Sequence, residues 1–197
     1  MADAIEKVSP LHALAEPGRF GDTSGEPGVG LSERLCDSLV QVQAWPDSIS
    51  ALKKAVKSVT GASIKPGNAV ATKGDVVLMS TGPGRWLVED ETDDLEVRLR
   101  KAIGADIGAV TALTHARTVV SISGERCEWV LASGIALDFS ADAFPVGTAK
   151  LSHHHEIGLT IHRTGDQAFD LYVVTSMVRS FWGWIARASA EVGYTVS

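Results

Sequence analysis

Apolar and polar residues alternate from Asp170 to Thr175, and beyond Thr175 the apolar positions recur every three or four residues. The first pattern predicts a half-buried strand and the second a helix, with Val178, Phe181, Trp182, Ile185, Ser189 and Val192 on its buried face. Thr175 and Ser176 offer a capping oxygen at its start, and Gly193 stands where a helix C-terminus favours left-handed dihedrals. Arg179, Gly183 and Arg187 take the opposite face. Trp184 lies about 100° off the centre of the apolar stripe, which leaves two readings open: a flanking core residue, or a contact for another protein.

The same patterns organise the chain before this point. Leu39 to Trp45 alternates as a strand. Asp47 or Ser48 then opens a helix to about Val59, closed by Gly61, with Ile49, Leu52, Ala55, Val56 and Val59 along its stripe. Asn68 to Thr72 reads as extended. GDVVLMSTGPGRWLVED reads as a hairpin, with Trp86 and Val88 on one face and Leu87 on the other. A helix from Asp93 or Asp94 to about Ile103 follows, with Leu95, Leu99, Ala102 and Ile103 inward. The remainder repeats the order: strand Thr118–Ser123, helix Glu125 to about Ser133, an extended piece from about Ala149, strand Ile157–Arg163, and the closing strand and helix. PGNAVAT at 66–72 and PVGTAKL at 145–151 occupy matching places, and residues 109–114 and 194–196 can supply closing strands.

This repeat of pattern predicts an α+β fold, with two split-βαβ (ferredoxin-like) units sharing a sheet layer. The folded domain is expected to span residues 38–197, with halves of about 38–114 and 115–197. Residues 1–37 are rich in Pro and Gly with little periodicity, and read as an irregular N-terminal arm. Its Leu11, Leu14, Phe20, Val29 and Leu31 would suit a segment that orders on a partner.

Composition narrows the function classes. A net charge of −6, with no basic run beyond Lys53-Lys54, argues against nucleic-acid binding. No window approaches the ~20 apolar residues of a membrane span. The opening residues lack a secretory pattern, and the two cysteines form no CxxC pair, so a reduced, cytoplasmic setting is expected.

Candidate chemistry is sparse. In a strand, His153 and His155 would share a face about 6.6–7 Å apart, a spacing at which two imidazoles can hold zinc, with His162 or Glu156 as a third ligand. His154 points the other way, and no second ligand cluster supports the site, so His153 and His155 are weak metal candidates. The glycines of TGPGRW belong to a turn and not to a phosphate cradle. No GxSxG surrounds a serine. Cys127 reads as a small buried residue. Glu89-Asp90-Glu91 and Asp93-Asp94 read as a solvated loop leading into a helix N-terminus. No catalytic or cofactor-binding residue stands out.

Four stretches in order, SPLHAL, GPGRWLV, SGERCEWVLASGIALDFSADAFPVGTAKLS and LYVVTSMVRSFWGWI, resemble the gamma subunits of heterotetrameric sarcosine oxidases. The resemblance implies a fold similar to the folate-binding domain of glycine-cleavage aminomethyltransferases. It implies a chain without an active site, in a complex that oxidatively demethylates sarcosine to glycine with tetrahydrofolate accepting the one-carbon unit. It places FAD, FMN, NAD, tetrahydrofolate and zinc in partner alpha, beta and delta subunits. Related N-methylglutamate dehydrogenase complexes use similar chains, and a free-standing folate-binding or aminomethyltransferase-like protein is the other class such a fold would allow.

Overall fold

Trp86 and Val88 face one way along their strand and Leu87 faces the other, yet all three are buried. A strand buried on both faces must lie between two apolar layers, and that requirement explains the architecture. The computed structural model describes residues 8–197; the expectation for the first seven residues of the arm lies outside them. In chain order the elements are β1 Gly18–Phe20, β2 Val29–Arg34, β3 Ser38–Ala44, α1 Ile49–Thr60, β4 Ala71–Lys73, β5 Val76–Gly82, β6 Arg85–Asp90, α2 Leu95–Ile107, β7 Gly108–Ala112, β8 Arg117–Ser123, α3 Cys127–Ala132, β9 Ala149–His154, β10 Ile157–Gly165, β11 Ala168–Val174, α4 Val178–Ala190 and β12 Tyr194–Val196.

Among the described residues the strands form two sheets, ordered β4-β5-β6-β3-β7 and β1-β12-β2-β8-β11-β10-β9. One core, with Leu52, Val56, Trp86, Val88, Leu95 and Leu99, lies between the first sheet and α1 and α2. A second, with Val120, Ile122, Leu171, Val173, Phe181 and Ile185, lies between the other sheet and α3 and α4. A third, with Leu39, Met79, Leu87, Val119, Ala149 and Tyr172, lies between the two sheets. The α+β fold with two similar units is therefore as expected. Each unit closes its own sheet, and the layer they share is formed by the two sheets face to face.

The helices follow their stripes. Leu52 and Val56 are fully buried in α1, and the Gly61 N–H, at φ 69°, closes the helix on the Lys57 carbonyl at 2.8 Å. Ile49 at the head of the stripe is 43 % exposed, so the buried face begins one turn later than the pattern suggested.

The expectation of an irregular arm to residue 37 is corrected. β2 lies inside the seven-stranded sheet, parallel to β12 and antiparallel to β8, and Val29, Leu31 and Leu11 are 2 %, 1 % and 0 % exposed. The Leu14 carbonyl accepts from Trp182 Nε1 at 3.2 Å. The two units show why the strand is needed. In the first, β7 pairs directly with β3; in the second, β2 is inserted between the equivalent β12 and β8. Its partners lie about ninety or more positions away in sequence, and VGLSER has only two large apolar residues, so local patterning conveys little.

One loop is held by a buried arginine. Arg163 on β10, 2 % exposed, donates to the carbonyls of Phe139 at 2.7 Å, Phe144 at 3.2 Å and Gly165 at 3.3 Å, and to that of Asp166. It also pairs with Glu128 Oε1 at 2.6 Å. Beneath it Phe139, Phe144 and Phe169 pack with ring centroids 5.6–6.1 Å apart.

Candidate functional site

Two places carry unusual side-chain chemistry: the seam between the sheets, and the corner where the β9–β10 turn meets α4. At the seam, period-two alternation puts Arg34 of β2, Asp170 and Tyr172 of β11 and His162 of β10 on the sheet face that looks toward β6. Glu89 meets them from β6. Arg34 donates to both oxygens of Glu89, with Nη2 to Oε2 at 3.2 Å, and to Asp170 Oδ2 through Nε at 3.1 Å. Tyr172 donates its hydroxyl to Glu89 Oε2 at 2.6 Å, Cys36 its thiol to Oε1 at 3.4 Å, and Ser121 its hydroxyl to Asp170 Oδ1 at 2.6 Å. Glu89 and Asp90 are 6 % and 8 % exposed, which corrects the reading of Glu89-Asp90-Glu91 as a solvated loop. The run straddles the end of β6, where the second sheet covers Glu89 through Arg34 and Tyr172 and Arg98 of α2 holds Asp90.

This environment suppresses nucleophilic chemistry. Burial and then the Glu89 charge push the Cys36 thiol up to about 12, so it is protonated at neutral pH and is no thiolate nucleophile. Burial and Glu89 likewise push the Tyr172 phenol well above its usual value. Burial also pushes the Glu89 carboxyl up, but hydrogen bonds from Arg34 and the guanidinium charge, with further hydrogen bonds from Tyr172 and Cys36, outweigh it and hold the carboxyl below its ordinary value. Burial drives His162 down. The cluster is a polar clamp that joins β2, β6 and β11.

The clamp makes stability depend on pH in two windows. For both groups the folded pKa is lowered, so the folded state binds fewer protons and stability rises with pH. The His162 contribution is complete above about pH 6.5, and the Glu89 contribution above about pH 4.3; each is lost as pH falls through its lower folded value. Urea unfolding across this range should therefore show stability declining in two steps on acidification. His162→Gln should flatten the upper step and Glu89→Gln the lower. Two variants that both keep the wild-type slopes would refute the assignment.

At the corner, His154 and Ile157 pair across β9 and β10, making His155 and Glu156 the two-residue turn, with His155 at φ 48°. The expectation that His153 and His155 share a strand face is therefore corrected, because His155 has left the strand. His154, which the sequence pattern turned to the other face and did not offer as a site, is the buried member at 6 % exposure. Its Nδ1 lies 2.9 Å from the Gly134 carbonyl, and its ring stacks on Trp184 with centroids 4.0 Å apart at 23°. Gly134 is small because Trp184 lies over it; a Cβ there would come within 2.5 Å of Cζ2. Trp184 is half-buried against the α3–α4 core, so the flanking-core reading describes its inner face. Its outer face, with His153, His155 and Ser133, borders a cavity of about 330 Å³. His162 lies on the opposite face of the sheet from His154, and among the described residues no three His, Cys, Asp or Glu side chains converge as a metal cage would require. No helix among them is long and apolar enough to cross a membrane.

Comparison with known proteins gives a concordant picture. Residues 46–191 match the family model described as "Sarcosine oxidase, gamma subunit family". The sarcosine oxidase subunit gamma of Corynebacterium sp. (strain P-1) is 29% identical over 186 residues, covering 93% of this chain and 90% of that one. The fold matches a chain of the heterotetrameric sarcosine oxidase of Corynebacterium sp. U-96, solved in complex with pyrrole 2-carboxylate. That match has a TM-score of 0.82 and 24% identity, covering 94% of this chain and 96% of that one. It also matches the glycine cleavage system aminomethyltransferase T of Bartonella henselae, at a TM-score of 0.62 and 15% identity, over 91% of this chain and 56% of the enzyme.

Proposed function

Because this chain belongs to the sarcosine oxidase gamma subunit family, we propose that it is the non-catalytic structural subunit of a heterotetrameric oxidase that demethylates sarcosine to glycine, with tetrahydrofolate accepting the one-carbon unit. The observation that carries this reading is the family match across residues 46–191. Partner alpha, beta and delta subunits supply FAD, FMN, NAD, tetrahydrofolate and zinc, and the assembly works in the cytoplasm. The chemistry of the seam supports the assignment: its carboxylates and phenol hydrogen-bond one another or Arg34, and its thiol is held protonated. Carboxylates, a phenol and a thiol arranged in this way stiffen a scaffold and supply no free nucleophile.

The purified chain is expected to be colourless, to bind no flavin, and to oxidise neither sarcosine nor related N-methyl amines. Mixed with its partner subunits it should form a stable complex. Absorbance at flavin wavelengths and an amine-oxidation assay decide the first point, and gel filtration of the mixture decides the second. Turnover by the isolated chain would overturn the reading.

Trp184 is the proposed anchor of that assembly, through the part of its ring that lines the cavity with His153 and His155. Trp184→Ala is expected to weaken association by about 2 kcal/mol, roughly thirtyfold. The association constant is read beside the melting temperature of the free subunit, because the indole also packs on Gly134. Loss of thermal stability with unchanged association would confine Trp184 to a core role.

A further inference from the structure

The clamp borders a cavity of about 350 Å³ along the seam, between the β2–β3 link, the end of β6 and β10–β11. It shares Asp37 with a shallower depression of about 660 Å³, and Leu35 and Cys36 with a smaller one of about 230 Å³. The three hollows flank the β2–β3 link, and the one beside the clamp is a trough at the meeting edge of the two units. Its charge is unbalanced. Glu89 and Asp170 share Arg34, and Asp90 pairs with Arg98 at 2.9 Å. Asp37, Asp75 and Glu91 line the same cavity, exposed and with no ion-pair partner among the described residues.

The floor adds an independent sign of a ligand. His162 is 7 % exposed, lines the cavity, and makes no side-chain hydrogen bond among the described residues. Its ring nitrogens are not sealed from solvent, so they open onto the cavity, where water or an incoming donor reaches them. Burial favours its neutral form, which offers a ring nitrogen as acceptor to an incoming donor. Arg34, Asp170 and Glu89 are the charged groups that face it, and their hydrogen bonds are made with one another and with Tyr172, Cys36 and Ser121. Leu35, 60 % exposed, stands beside the mouth as an apolar rim. The carboxylates and His162 do not converge as a metal cage, which leaves a flexible donor-bearing cation as the complementary occupant.

We propose that this trough is the docking site for an extended segment of a partner subunit, which inserts a lysine or arginine side chain between Asp37, Asp75 and Glu91 toward His162 and rests an apolar neighbour on Leu35. The proposal rests on the chain acting within an assembly, and adds where and by what chemistry a partner is held. The insertion neutralises the unbalanced carboxylates and gives His162 a protein donor at its ring nitrogen. Complementary charges of this kind act on encounter and register, and their effect weakens as salt rises.

The test uses the full-length chain and its purified partner subunits, with the association constant measured from about 0.05 to about 0.5 M sodium chloride. Asp37→Asn, Asp75→Asn and Glu91→Gln are combined in one variant; all three positions are exposed, and a melting curve verifies the fold. The variant should associate about tenfold more weakly at about 0.15 M salt, with a flatter salt dependence than wild type. A control combining Glu16→Gln, Glu125→Gln and Asp142→Asn, also exposed, should stay within about twofold of wild type. Carbodiimide, which joins carboxylates to contacting amines, should link Asp37, Asp75 or Glu91 to a lysine of a partner when lysine is the occupant. Wild-type affinity and slope in the trough variant would overturn the proposal and leave the subunit reading standing. Failure of the wild-type chain to associate at all would overturn both.

Discussion

A chain that starts at Ser38 is expected to lose the folded state of its second half. Deleting everything before Ser38 removes β2, which pairs with β8 from Gly30 to Arg34 and with β12 from Val29 to Leu31. It strips Leu11, Val29 and Leu31 from the core, a loss of roughly 5–9 kcal/mol at about 1.5–3 kcal/mol for each buried side chain. It also removes Arg34, leaving Glu89 and Asp170 without their shared cation. Domains of this size are stable by about 5–15 kcal/mol in total, so the deletion consumes most or all of that margin. Circular dichroism on heating should show no cooperative transition for the β8–β12 unit, and the protein should aggregate through the opened edge of β8. A truncated chain that melts cooperatively within a few degrees of the full one would refute this placement of β2.

Replacement of Arg163 should be nearly as damaging. Arg163→Ala leaves the carbonyls of Phe139, Phe144, Gly165 and Asp166 without their donor and opens a space against Phe169, over whose ring the guanidinium carbon sits at 5.1 Å. Buried acceptors left unsatisfied cost about 1–3 kcal/mol each, and relaxation of the exposed part of the loop recovers some of it, so about 3–5 kcal/mol is expected. Arg163→Lys should restore little, because an ammonium lacks the planar fork that serves several carbonyls at once. The check is the urea midpoint of both variants, with hydrogen exchange across residues 138–147. A loss below about 1 kcal/mol for Arg163→Ala would show that the loop is held by its phenylalanines and not by the arginine.

Most secondary structure was legible because its signal is local. α4 carries its stripe within thirteen residues, and the β5–β6 hairpin carries alternation and turn glycines together. The repeat of order in the two halves was legible for the same reason, and it led to the class of fold. The candidate sites were less so. The histidine run drew attention to His153 and His155, whereas His154 is the residue that packs, since a two-residue turn at His155-Glu156 ends the strand. The turn length depends on the register of β9 against β10, and no count of residues within the run contains it. Trp184 was singled out by its angle on the helix, and that geometry is intrinsic to the helix.

The amino-acid sequence by itself determined the helices, the hairpins, the pairing of two like halves and the family to which they belong, because 3.6- and 2-residue periods and short ordered motifs are properties of neighbouring residues. Tertiary structure alone decided that VGLSER is an internal strand, that Glu89 is buried in a clamp instead of solvated in a loop, and that His162 sits at the floor of a charged trough. Each of these depends on contacts between residues far apart in sequence, Arg34 with Glu89 and Asp170, or β2 with β8 and β12. The free energy of such contacts arises only when the two sheets close on one another, and burial then turns ordinary polar residues into a clamp.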